Sequence, residues 1–115
     1  TICVWALVAD SEADARHHTL SRERWRLDRA RGRLGPLRSP DDIAREGYSA
    51  EEEASLAGMR RRAFVGTAAQ VGAQLRALAT ELQLDELVVN TWAYDPAVRR
   101  HSYALLAEQF GLAPT

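Results

Sequence analysis

The sequence predicts an α/β fold in which two parallel strands are joined by helical crossovers. Two observations carry this. Residues 2–9 (ICVWALVA) and 87–92 (LVVNTW) are short runs rich in apolar, β-branched and aromatic residues, the composition of strands buried in a sheet. Between them lie segments with helix caps and helical apolar spacing, and strands separated by helices pair in parallel through a right-handed connection.

Composition bounds the function classes. The chain has 115 residues, 46% hydrophobic and 27% charged, with net charge −1, near the average for globular domains and too apolar for a disordered chain. A domain of this size buries roughly two-thirds of its unfolded surface without needing disulfides or metal. No apolar run approaches the roughly 18–20 residues that cross a bilayer, and no charged start followed by an apolar stretch suggests a signal peptide, so the expectation is a cytoplasmic protein without a membrane partner. Cys3 has no second cysteine to bridge and packs as a small apolar side chain. All fifteen basic residues are Arg, and the chain opens with Thr1 inside a strand-like run. That opening leads us to expect further sequence upstream.

Element by element, the first strand covers residues 2–9. Ser11, with Glu12 and Asp14 behind it, caps a helix over about residues 11–31, since cap oxygens and early carboxylates satisfy a helix N-terminus. Leu20, Trp25 and Leu27 are its only large apolar residues, so it lies on a surface and covers something. Residues 31–42 carry Gly and Pro that end the helix. Ser39-Pro40 starts a short helix toward Glu46, and Ser49 with Glu52 forms a capping box for another through about Arg62. A short extended stretch, residues 63–67, follows. Thr67 then caps a helix with Val71, Leu75, Leu78 and Leu82 on one stripe. After the second strand, Asp95-Pro96 opens a last helix that stops at Gly111.

Two parallel strands this apolar leave both outer edges of their sheet open. Either further strands of a parent fold complete the sheet, or copies of the chain associate through those edges. The second alternative describes a non-enzymatic α/β interaction module, a stable homo-oligomer.

Five pieces, in order, resemble the C-terminal portion of the bacterial luciferase-like flavin-dependent monooxygenases: Val8-Ala9-Asp10-Ser11-Glu12; Arg31-Gly32-Arg33-Leu34-Gly35-Pro36-Leu37 with Ser39-Pro40; Phe64-Val65-Gly66-Thr67 with Gln70-Val71; Asp85-Glu86-Leu87-Val88-Val89; and Arg99 with Ser102-Tyr103 and Leu105-Leu106-Ala107. The resemblance covers nearly the whole chain, residues 1–115. It implies the C-terminal part of a TIM (β/α)8 barrel, with residues 2–9 as the seventh strand, 87–91 as the eighth, and 20–62 as a helical and loop insertion that covers the barrel mouth. A barrel of this kind takes about 250 residues, so the remaining strands belong to the rest of the protein. The family often has His-Asp after the last strand, where this chain has Tyr94-Asp95.

The family resemblance implies an oxidoreductase that uses reduced flavin (FMN, or a deazaflavin in related enzymes) and dioxygen to oxidise a small organic substrate, most of the flavin contacts lying outside this chain. The chain alone is expected to be inactive, and an oligomer is expected. Active sites of TIM barrels lie at the C-terminal ends of the strands, which singles out Asn90, Thr91, Trp92 and Tyr94 as cofactor- or substrate-lining residues. Catalytic residues are not identified. His17 and His18 sit about 100° apart on a helix and His101 is remote in sequence, so no metal site is expected. The Arg-rich stretches 22–33 and 60–62 are interleaved with or preceded by Glu23, Asp28 and residues 51–53, which reads as an ion-paired, solvated helical face and not as a nucleic-acid site.

Overall fold

A computed structural model describes residues 1–112 of the chain. In order it forms β1 (Ile2–Val8), α1 (Glu12–Ala30), α2 (Pro40–Glu46), α3 (Ala50–Arg62), β2 (Phe64–Gly66), α4 (Ala68–Glu81), β3 (Leu87–Asn90) and α5 (Pro96–Gln109). The expected caps are made: Ser11, Ser39 and Asp95 each accept from a first-turn backbone N–H, and Ser49 with Glu52 and Thr67 with Gln70 close full capping boxes.

The sheet has three parallel strands in the order β2-β1-β3, which corrects the expectation of two. Residues 63–67 contain a strand of their own: Phe64, Val65 and Gly66 pair with Ala6, Leu7 and Val8. Three residues are too few for a period-2 pattern to stand out in sequence. At Gly66 φ is 157°, and a side chain there would displace the Gln70 side chain from the α4 capping box, so glycine suits the turn from β2 into α4.

β1 is the central strand, but its partners divide its length. β3 pairs with residues 2–5 on one side and β2 with residues 6–8 on the other. Where β3 stops, side chains continue its ladder. The Thr91 hydroxyl donates to the Ala6 carbonyl at 2.7 Å, and the Val8 N–H donates to the Ser102 hydroxyl oxygen at 2.9 Å. Both hydroxyl residues are fully buried. Thr91→Val keeps the shape but leaves the Ala6 carbonyl without its donor, so chemical denaturation should show a loss of about 1–3 kcal/mol.

Side-chain alternation divides the sheet into two faces. Ala6 and Val8 pack with Val71, Leu75 and Leu106 beneath α4 and α5, with Val4, Leu87 and Val89 at the margin. The opposite face carries Leu7 and Ala9 under Ala15 of α1, flanked by Trp5, Val65 and Ala93. α1 covers only the C-terminal half of this second face. Cys3, Val88 and Asn90, on the same side, are exposed, so the expectation of strands buried on both faces holds for one face and fails at the open end of the other. There Cys3 is an exposed thiol, not the packed apolar group its strand position predicts.

Candidate functional site

Because all three strands are parallel, their C-terminal ends and the capped N-termini of α1, α4 and α5 gather on one rim. The rim is fixed at Thr91. Its hydroxyl is committed to Ala6, its N–H donates to the Tyr103 hydroxyl oxygen at 2.9 Å, and its carbonyl accepts from Arg99 Nε at 2.9 Å. Thr91 therefore anchors its neighbours and is itself fully buried. Asn90 projects from the open sheet face, and Tyr94 is 51% exposed on the rim. His101 closes the rim from α5 by a hydrogen bond between its Nε2 and Asp10 Oδ1 at 2.9 Å.

Trp92 enters a cluster that sequence reading did not assemble. Its ring meets Trp25 of α1 edge-on, centroids 5.0 Å apart and planes at 80°, an arrangement that suits the ring quadrupoles. The Arg22 guanidinium lies 4.0 Å from the Trp5 ring and 5.9 Å from Trp92, and Arg29 lies 5.3 Å from Trp25, all within cation–π reach. Trp5 and Trp92 thus meet around Arg22, and the third tryptophan of the chain, Trp25, joins the cluster through Trp92. Burial lowers the Arg22 pKa to about 10, and the neighbouring Arg26 charge adds to the effect.

The charged residues of α1 are sorted by face. Toward α3, Glu23 takes a bidentate contact from Arg60 at 3.0 and 3.1 Å, and Glu52 pairs with Arg24 and with Arg31. Arg60 also reaches Glu53 at 2.8 Å. Arg24, Arg31 and Arg60 are thus ion-paired, as the sequence reading expects of the arginine-rich stretches. Among the described residues Arg22, Arg26 and Arg29 have no such partner; their spacing of four and then three residues was the signal available, since such spacing puts side chains on one helical stripe. Among the described residues no group of three or more His, Cys, Asp or Glu side chains is placed to hold a metal ion.

No family model matches the chain. Over 104 residues it is 28% identical to a luciferase-like monooxygenase of Escherichia coli (strain K12), a match covering 90% of this chain and 31% of that protein. The chain resembles part of a luciferase-like monooxygenase. An uncharacterized protein, YvbT of Bacillus subtilis (strain 168), is also 28% identical, over 105 residues, 91% of this chain and 31% of its own. The crystal structure of apo-MsnO8 shares the fold with a TM-score of 0.74 at 24% identity, over 99% of this chain and 35% of that one. The chain therefore spans about a third of the length of the curated relatives it matches. Among the described residues no helix is long and apolar enough to cross a membrane.

Proposed function

We propose that the chain is the C-terminal segment of a luciferase-like flavin-dependent monooxygenase, contributing two strands of a TIM (β/α)8 barrel and, through residues 20–62, a cover over its mouth. The observation that carries this reading is the unfinished second face of the sheet. Cys3, Val88 and Asn90 stand uncovered on sheet positions, and among the described residues β1 has no partner over residues 2–5 on the side where β2 pairs only with residues 6–8. A barrel interior and a neighbouring strand would complete both. β1 and β3 take the two barrel positions in this reading. β2 is the return of the insertion.

Reduced flavin would supply the electrons that, with dioxygen, oxidise a small organic substrate. The chain's own residues fit one wall of such a site. Asn90 offers an amide to polar ring edges, Trp92 an indole face to a planar ring, and Tyr94 an exposed phenol on the rim. Thr91 holds the backbone between Asn90 and Trp92 in place. The grooves here are open, so the remaining walls come from other strands. α3, fixed to α1 by the Glu23 and Glu52 ion pairs, and α2, joined to α1 by the His17–Asp41 contact, would exclude water from the mouth.

The test compares this chain with a polypeptide that also carries the other six βα units. The chain alone should form no stoichiometric flavin complex and should not change the spontaneous oxidation of reduced flavin by dioxygen, whereas the longer polypeptide should bind flavin stoichiometrically and oxidise the bound reduced form. FMN and a deazaflavin should be offered in parallel to identify the cofactor. A stoichiometric flavin complex with turnover by the 115-residue chain would sink the proposal, and so would light scattering that finds a stable, well-folded homo-oligomer with its open edges buried.

A further inference from the structure

We infer that the groove between Arg22, Arg26 and Arg29 of α1 and the Trp25–Trp92 pair binds a small planar anion, of which an aromatic carboxylate is the class that fits it. The inference needs no barrel, since every residue involved lies in this chain.

The first support is the sorting of charge on α1. Every acidic side chain near its C-terminal half is already paired: Glu23 with Arg60, Asp28 with Arg24, and Glu52 with Arg24 and Arg31. Among the described residues, Arg22, Arg26 and Arg29 have no carboxylate within ion-pair distance and donate no side-chain hydrogen bond. Three like charges on one helical stripe repel one another. Arg22 is also partly buried among indoles, where a charge without a counter-ion is costly. An arriving anion relieves both penalties.

The second support is the lining. Arg22, Trp25, Arg26, Arg29, Ala30 and Trp92 border one open groove, and a second groove beside it reaches Trp5, whose indole N–H is buried without an acceptor. Guanidinium forks match the two oxygens of a carboxylate or a phosphate. Indole walls add stacking and edge contacts that only a ligand with an aromatic ring can use. This separates an aromatic carboxylate from inorganic phosphate. The paired acidic residues bordering the arginines, together with the net charge of −1, make the patch small and not a continuous phosphate track.

The tryptophans supply the readout, because all three belong to the cluster. The 115-residue chain is titrated with benzoate, with the neutral isostere benzamide and with inorganic phosphate, following tryptophan fluorescence and heat of binding. Benzoate should give a saturable change that weakens with added salt, and benzamide and phosphate should each bind at least about tenfold more weakly. Arg26→Gln, at an exposed position, should lower benzoate affinity by about tenfold with an unchanged circular dichroism spectrum. Arg33→Gln, outside the groove, should leave affinity unchanged and so controls for net charge. Equal affinity for benzoate and benzamide, phosphate binding as tight as benzoate, an unaltered Arg26→Gln, or no saturable change in the folded chain would overturn the assignment. No flavin enters the measurement, so it can fail while the barrel reading stands, or succeed while that reading falls.

Discussion

Glu23→Ala is expected to loosen α3 from α1 and to cost about 2–4 kcal/mol in chemical denaturation, with earlier hydrogen exchange across α3. The Glu23 side chain is only 7% exposed and holds Arg60 by two nitrogens at 3.0 and 3.1 Å. The Tyr48 hydroxyl also reaches it, at 3.4 Å. Breaking a buried pair by removing one partner costs about 3–5 kcal/mol because the other charge is stranded. The expected loss lies toward or below the lower end of that range, since Arg60 is about one-third exposed and keeps Glu53.

Acid should act on the same α1–α3 interface through Glu52, which pairs with Arg24 and Arg31. The hydrogen bond from Arg24 holds the Glu52 carboxyl down at about 2, with the Ser49 N–H contributing, against an ordinary value of 4.5. A carboxylate depressed in the folded state stabilises the fold fully above its unfolded pKa. That contribution shrinks as pH falls from about 4.5 toward 2 and is gone below both values. Thermal melts across this window should therefore show the wild type losing stability more steeply than Glu52→Gln.

These contacts illustrate what was legible in the sequence. The caps were, because Ser11, Ser49 and Thr67 act on backbone a few residues away, and local chemistry needs no knowledge of the fold. The strands of residues 2–9 and 87–92 were legible from composition. β2 was not, because Phe64–Gly66 is a strand only by virtue of lying beside Ala6–Val8, a pairing more than fifty residues distant. The arginine stripe shows the same limit. Its spacing was readable, but the sequence neighbours Glu23 and Asp28 suggested pairing partners that in the fold turn toward Arg60 and Arg24 on another side of the helix. Likewise Asn90, Thr91 and Trp92 form one strand end in the sequence, yet alternation sends Thr91 to one side, as a buried backbone clamp, and Asn90 and Trp92 to the other, where Asn90 stands on the open face and Trp92 meets Trp25 of α1.

Leu7→Ala and Leu75→Ala should each cost about 2–5 kcal/mol, the range for truncating a buried leucine, since both side chains are almost fully buried. Their functional consequences should differ because they occupy opposite faces of the sheet. Leu75 fills the layer between the sheet and α4 and α5, with Val8 and Leu106, and its loss leaves α1 seated. Leu7 packs with Ala9 and Ala15 where α1 meets the sheet, next to Trp5, so a cavity there lets α1 shift against the strand that carries Trp5. The Arg22 stack on Trp5 spans that same interface. Under conditions where circular dichroism shows both variants folded, Leu7→Ala should weaken benzoate binding several-fold and alter tryptophan emission, while Leu75→Ala should do neither. Equal effects of the two variants on binding would mean that the groove responds to global stability and not to the seating of α1 on the sheet.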